Sequence, residues 1–481
     1  MKDIKISDNI FEQIKDFDHF NLTEEQNLLI NKLILNEELK IRYKDYGLCK
    51  ECKQPKITYG WCQCKFQQNF KNWTSGNNEI NEFIQKLQLN AKYYSKILEW
   101  IEYDRFENIE YLTKGGFGTS YKAIWKDGYI EYWNSENNQW KRGKKSDETY
   151  PVVLKCLHNS QDITVEFLNE IETHIIATNS HYVTRCHGFT KDPESNNFMI
   201  VMEYVENGSL RQYLNNSFNS MKWDEKMDIL RHIASGLDDI HKKGLIHHDL
   251  HCGNILKGRN FTYITDLGLY QPANVKYSQG DHKKVYGVLP YVAPEVLRGD
   301  EYTQESDIYA FGIIAYEVCT GIPPYHDIIH DGFLAIRICQ GQRPKSNYKI
   351  PKIILNIIKQ CWDADLLKRP KANELYNLFH DLYNNIYSNY DSDLEINKQI
   401  EKVNEFNEKL IRSSSSYNGI TLSYIINSQA IYTSRLLDFK NLPAPRNVDT
   451  DDDDNSESIL NSIILTTLVI TFIVYYMSKS N

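Results

Sequence analysis

No excess of positive charge runs through this chain of 481 residues. Its 55 lysines and arginines are outnumbered by 64 aspartates and glutamates, a net charge of −9, which argues against general nucleic-acid binding. The opening stretch, MKDIKISDNIFEQIKDFDHF, has no apolar run long enough for a signal peptide. A disulfide framework is missing as well. Six of the ten cysteines (Cys156, Cys186, Cys252, Cys319, Cys339, Cys361) are scattered, a usage that points to a reducing compartment. Hydrophobic residues make up 41% of the chain, enough for one large domain with appendages.

The most informative stretch is GLIHHDLHCGNILKGRNFTYITDLG. Asp249 is followed five residues later by Asn254, and Asp266 stands twelve residues beyond that. Phosphoryl transfer needs a carboxylate to orient a nucleophilic hydroxyl, and oxygen ligands for Mg²⁺ on a triphosphate. Asp249 suits the first task; Asn254 and Asp266 suit the second. Upstream, Gly115, Gly116 and Gly118 lie between two strand-like segments, where bare backbone N–H groups can approach phosphate closely.

HHDLHCGN and DLG resemble the catalytic loop and the D-F-G motif of protein kinases. KGGFG resembles the family's glycine-rich loop, and Val152-Val153-Leu154-Lys155 its V-A-I-K strand. Ala293-Pro294-Glu295 matches A-P-E. The ordered match spans about Phe106 to Leu382. Its style is similar to the tyrosine-kinase-like group, including a fungal family with a Cys-rich segment before the kinase domain. The resemblance implies an α+β, bilobal kinase fold with a small β-rich N-lobe and a large helical C-lobe. It also implies ATP and Mg²⁺ as cofactors and a protein substrate. Asp249 would be the base, Lys155 would hold the α- and β-phosphates, and Glu170 would pair with that lysine. Asn254 and Asp266 would hold Mg²⁺. Met202 would be the gatekeeper, and Glu203 and Val205 would bond adenine through the backbone. Asp307 would brace the catalytic loop, and Arg369 would pair with Glu295.

Several departures stand out. Thr113 replaces the first loop glycine, and Ser120 replaces the valine that caps adenine. His248 replaces the arginine that reads an activation-loop phosphate. His251 replaces the basic residue that steadies the transferred phosphoryl. Leu267 replaces phenylalanine, and Val288 stands where serine/threonine kinases carry threonine. Active transfer to serine or threonine hydroxyls, with tyrosine left open, therefore competes with a pseudokinase scaffold.

Outside the kinase-like region, residues 1–45 read as a helical segment with Leu28, Leu29, Leu33 and Leu35 as its apolar stripe. Within 46–75, Cys49 and Cys52 form C-x-x-C, and Cys62 and Cys64 close the set after nine intervening residues. Two thiolate pairs suit tetrahedral Zn²⁺ in a segment too small for its own core; free thiols are the alternative. Ile80, Phe83, Ile84, Leu87, Leu89, Ile97, Leu98 and Ile101 predict a connector helix over 78–104, within a segment at 76–105. DGYIEYWNSENNQWKRGKKSDETY is expected to form a surface hairpin.

After the domain at 106–382, residues 383–458 are expected to be helical and then a disordered linker. Tyr432 to Phe439 suits either a docking motif or packing back on the domain. From Ile459 to Met477 no charge occurs. As a helix this run would reach about 28 Å at 1.5 Å per residue, near the roughly 30 Å of a bilayer core. A C-terminal transmembrane tail anchor is expected, with the kinase-like domain facing the cytosol and the membrane as a partner.

Overall fold

A computed structural model describes residues 5–116, 118–144, 149–161, 163, 165–177, 180–267, 285–387, 394–414 and 425–447. The chain opens with α1 (Asp8–Ile14), α2 (Glu24–Leu33) and α3 (Glu37–Tyr46). A reciprocal capping box between Thr23 and Gln26 starts α2, and the Asn36 side chain caps α3. These helices close over Ile6, Ile14, Ile30, Ile34, Leu39 and Tyr43. The expected leucine stripe is therefore displaced: Leu28 is 70% exposed and Leu35 84%. The buried face runs along the isoleucines instead.

Next come α4 (Gln63–Asn69) and α5 (Asn78–Asn90). The connector helix stops at Asn90 rather than running to 104. A short 3₁₀ turn follows, and then β1 (Glu99–Trp100). The reason lies in where the apolar residues go. Ile97 packs with the cysteine-rich segment, Leu98 joins one face of the sheet, and Ile101 joins the other. One helical stripe cannot serve three separate directions.

The N-terminal lobe continues with β2 (Phe106–Lys114), β3 (Gly118–Trp125), β4 (Tyr129–Asn134), β5 (Gln139–Gly143) and β6 (Pro151–Leu157). It is completed by α6 (Val165–Ala177), β7 (Cys186–Lys191) and β8 (Phe198–Glu203). The sheet order is β1-β7-β8-β6-β3-β2, antiparallel except where β1 joins β7. Strand alternation builds two cores. Val152, Leu154, Met199 and Val201 pack on one face, and Val153, Phe198, Ile200 and Met202 pack on the other, towards α5 and α6. Lys155 has the parity of Val153, so the same alternation turns it towards the α6 side. Strands β4 and β5 form the expected hairpin as a separate two-stranded sheet. Ile130, Trp133 and Trp140 pack there with Ile57, Trp61 and Phe66 of the cysteine-rich segment.

The C-terminal lobe holds α7 (Leu210–Ser217), α8 (Trp223–His241), β9 (Ile255–Lys257), β10 (Thr262–Ile264), β11 (Val285–Gly287) and α9 (Pro294–Leu297). After these come α10 (Gln304–Thr320), α11 (Gly332–Cys339), α12 (Lys352–Cys361), α13 (Ala372–Tyr387), α14 (Glu395–Ser414) and β12 (Arg435–Leu437). From Ser306 to Thr320 every residue of α10 is buried; most are apolar, and the buried Asp307 and Glu317 carboxylates are met by hydrogen-bond partners. Gly321, in the left-handed conformation at φ 69°, ends it. Helix α14 docks through Ile396, a core residue, and through Trp223 Nε1, which donates to Asn404 at 2.9 Å.

The C-terminal region departs from the expected disordered linker. Residues 425–447 lie against the large lobe, and β12 pairs antiparallel with β11. Leu437 enters the main core, and the Arg446 and Asn447 backbone and side chains bond to Cys339, Asp363 and Ala364. Composition missed this, because a polar segment can be held by backbone pairing and a few buried anchors. The expected membrane span at 459–477 lies outside the described residues. Among those residues no helix is long and apolar enough to cross a membrane.

Candidate active site

The catalytic loop joins α8 to β9. Asp307, near the start of α10, holds it from beneath: its Oδ2 accepts the His247 backbone N–H at 2.8 Å, and its Oδ1 accepts that of His248 at 3.2 Å. The imidazole of His241 donates to Oδ2 at 3.0 Å. Burial works against charge on Asp307, but the His241 and His247 contacts outweigh it and keep the carboxyl below its ordinary range. Between the two braced N–H groups the chain turns sharply; His248 has φ 71° and packs its ring edge-on to Tyr302. His247 is buried, and chiefly that burial pushes its pKa below the ordinary imidazole value. Its Nε2 donates to the Thr265 carbonyl at 3.0 Å, and its Nδ1 accepts the Asp249 N–H at 3.3 Å. This one ring therefore ties the backbone of Asp249 to that of the residue before Asp266.

The expected residues converge. Asn254 Nδ2 donates to the Asp249 carbonyl at 2.9 Å and to its Oδ2 at 3.2 Å. That engagement fixes the carboxamide and leaves its oxygen as the ligand it can offer. Thr265 N–H donates to the Asn254 carbonyl at 3.0 Å, which brings Asn254 and Asp266 side by side. Lys155 reaches across from β6 and pairs with Asp266 at 2.7 Å. The oxygens of Asn254 and Asp266 are the hard donors Mg²⁺ prefers. Asp249 is almost fully buried. Burial alone would raise its pKa, but His251, Ser434 and His247 hold the carboxyl below its usual value. His251 Nδ1 accepts the Gly253 N–H at 3.0 Å, so its Nε2 is the nitrogen left to face Asp249 Oδ2, at 3.5 Å.

Above this floor, Gly115 N–H donates to the Gly118 carbonyl at 2.8 Å and closes the turn between β2 and β3. A Cβ at Gly118 would lie 2.7 Å from the Cys156 carbonyl, so the strand itself excludes a side chain there. Thr113 and Ser120, the two departures in this loop, face each other across the ladder. Glu170 lies on α6, and its side chain is outside the described residues. At the hinge, Met202 is buried in the sheet core and Val205 is also buried. The Glu203 N–H donates to the Arg185 carbonyl at 2.9 Å, so an adenine would meet the Glu203 carbonyl and the Val205 backbone.

Away from the chemistry, Arg369 grips Glu295 in a buried two-pronged pair, at 2.7 and 2.9 Å, as A-P-E implied. The four clustered cysteines also meet. Cys49 and Cys64 sulfurs are 3.7 Å apart, those of Cys52 and Cys62 3.4 Å, and all four lie within 4.8 Å of one another. A tetrahedron with metal–sulfur bonds of about 2.3 Å has edges of about 3.8 Å, so the donor set fits a single metal.

Two features escaped the sequence. One is a buried cluster in which Arg211 of α7 bonds Tyr291 at 2.5 Å and Glu317 at 2.8 Å. The Arg211 guanidinium also stacks on the Tyr432 ring at 4.6 Å. The other is Ser434, whose hydroxyl donates to Asp249 Oδ2. Its only sequence signal was a hydroxyl inside the Tyr432–Phe439 stretch.

A family model described as protein tyrosine and serine/threonine kinase matches residues 106–379. The chain is 31% identical over 211 residues to a protein kinase and PP2C-like domain-containing protein of Arabidopsis thaliana, which covers 37% of this chain and 32% of that protein. It is 30% identical over 298 residues to the probable serine/threonine-protein kinase roco5 of Dictyostelium discoideum, covering 58% of this chain and 10% of that one. A putative serine/threonine-protein kinase/receptor, R831, of Acanthamoeba polyphaga mimivirus is 26% identical over 286 residues, 58% of this chain and 16% of the relative. The chain thus spans between a tenth and a third of the length of these relatives. With a family match over more than half its residues, and Asp249, Asn254 and Asp266 brought together with Lys155 of β6, the chain belongs to the protein tyrosine and serine/threonine kinase family.

Proposed function

We propose that this protein is an ATP-dependent protein kinase that phosphorylates serine or threonine hydroxyls. One observation carries it: Asp249 is buried yet held ionised, its carboxylate fixed by Asn254, while Lys155 and Asp266 meet 2.7 Å apart in the same cleft. Asp249 would take the hydroxyl proton, and Lys155 would orient the phosphates. Asn254 and Asp266 would hold Mg²⁺, which when bound neutralises charge on the triphosphate. Gly115, Gly116 and Gly118 would cover the phosphates. Serine or threonine is favoured over tyrosine because a serine hydroxyl, that of Ser434, is the one that reaches the Asp249 carboxylate. The relatives' names point the same way.

The competing pseudokinase reading rests on Thr113, His248 and His251. The two readings separate in a radiolabelled ATP assay with a generic protein substrate. Transfer by the full chain should vanish in Lys155→Met and in Asp249→Asn, both with unchanged melting temperature. Undiminished transfer in either variant would refute the assigned roles, and no transfer by the wild type would favour the scaffold.

The Cys49, Cys52, Cys62 and Cys64 cluster would hold a structural Zn²⁺ that supplies the folding energy a small segment lacks. Residues 459–477 would anchor the protein in a membrane with the kinase domain cytosolic. The uncharged composition of that run supports this.

A further inference from the structure

The segment 425–447 follows a definite track. Asn427 N–H donates to the His326 carbonyl at 2.8 Å. His330 Nδ1 accepts the Ile431 N–H at 3.1 Å while its Nε2 donates to the Tyr325 carbonyl at 3.1 Å. The Tyr432 hydroxyl donates to the Pro324 carbonyl at 2.9 Å, with its ring against both His330 and Arg211. Arg435 donates to the His330 carbonyl at 2.5 Å. Strand β12 then pairs with β11, Gly287 opposite Arg435 and Val285 opposite Leu437. Between Tyr432 and Arg435 the chain passes directly over the catalytic loop. Any side chain at Gly116 would collide with the Ser434 carbonyl oxygen, so the glycine loop closes on the segment from above. From below, the Ser434 hydroxyl donates to Asp249 Oδ2.

Strand addition to a sheet edge is a general way to hold an extended peptide: backbone pairing supplies affinity, and pockets for alternate side chains supply register. Here Leu437 is the buried anchor and the half-buried Tyr432 the second. Between them lies Ser434, whose hydroxyl reaches Asp249.

We infer that residues 425–447 occupy the protein-substrate groove in cis, and that Ser434 is an intramolecular phosphoacceptor whose modification vacates the groove. The inference rests on the kinase reading above. Ser434 Oγ forms a bond to the γ-phosphorus of ATP, and the bond from that phosphorus to the β,γ-bridging oxygen breaks. ADP leaves, and the hydroxyl proton passes to Asp249 and then to solvent. The product places a phosphate carrying up to two charges beside the Asp249 carboxylate, where like charges repel in a desolvated site. The strand is then expelled, and the groove opens to other proteins.

The test uses the full chain with Mg-ATP, dephosphorylated casein, peptide mapping by mass spectrometry and a hundredfold range of protein concentration. Phosphate should appear on Ser434 with a rate constant independent of concentration. Ser434→Ala should lose that phosphopeptide and, with the groove still occupied, show a KM for casein at least fivefold above that of the phosphorylated wild type. A Tyr432→Ala/Arg435→Ala double variant should lower KM for casein at least fivefold, leave KM for ATP unchanged, and melt like the wild type. Should that variant not fold, a synthetic peptide of residues 425–441 should inhibit competitively against casein and not against ATP. Casein phosphorylation by the wild type with no phosphate on Ser434 overturns the inference alone. So does a rate constant that rises in proportion to concentration, or a peptide that fails to compete. Absence of transfer to both casein and Ser434 overturns the kinase reading and this inference with it.

Discussion

Asp307→Asn is a nearly isosteric change at a residue that would touch no substrate, and it should cripple turnover. The native carboxylate accepts three donors: His247 N–H and His241 Nε2 at Oδ2, and His248 N–H at Oδ1. A carboxamide has only one acceptor oxygen. Whichever way it turns, its NH₂ faces at least one donor, so at least one hydrogen bond to a charged acceptor is lost. Such bonds are worth roughly 1.5–3 kcal/mol each. The bonds to His247 and His248 also hold His248 at φ 71°, a conformation that costs a non-glycine residue about 1–3 kcal/mol. Once released, that residue can relax and carry Asp249 with it. If the lost bond appears wholly as misplacement of Asp249, kcat should fall roughly 10- to 150-fold, at 1.36 kcal/mol per tenfold. Lys155 and Asp266 keep their contact, so KM for ATP should stay within about twofold. Steady-state kinetics on casein, with a thermal melt as the folding control, measures this. An unchanged kcat in a normally folded variant would refute the idea that Asp307 positions the base.

Metal analysis of the purified full chain should find one zinc, and a Cys49→Ser/Cys62→Ser double variant should contain none and lose its most stable melting step; zinc-free wild-type protein would favour free thiols. The full chain should pellet with membranes and resist carbonate extraction, whereas a chain ending at Asn455 should remain in the supernatant. Equal partition of the two forms would remove the case for an anchor.

Much of the candidate site was legible because its parts are local. Asp249 and Asn254 sit five residues apart on one loop, and spacing alone placed them together. Lys155 was legible through a motif, and the alternation of β6 explains its direction. Asp307 and Arg369 were legible only through resemblance, since the contacts they make span about 60 and 74 residues respectively. The connector was misjudged past Asn90 because Ile97, Leu98 and Ile101 mimic a helical period while serving three different cores. Segment 425–447 was legible only as one of two alternatives, docking motif or packing back on the domain, for another reason. Its hold depends on β11, on His330 and on a glycine 318 positions upstream of Ser434, and no local pattern encodes partners so remote.

The β4–β5 hairpin bears on how this protein can be taken apart. Trp140 stacks on Phe66 at 4.7 Å, Lys65 lies over Trp133 at 4.4 Å, and Trp133 N–H donates to the Gly60 carbonyl at 2.8 Å. Arg142 reaches back to Glu99 at 2.5 Å. All these partners precede Phe106, where the family match begins. A fragment cut at that point would bare two tryptophans and Ile130 to solvent in one patch, a surface prone to self-association. The unit that can be expressed, crystallised or grafted onto another protein therefore starts at the cysteine-rich segment. Any lineage that gained the hairpin had reason to keep the segment that covers it.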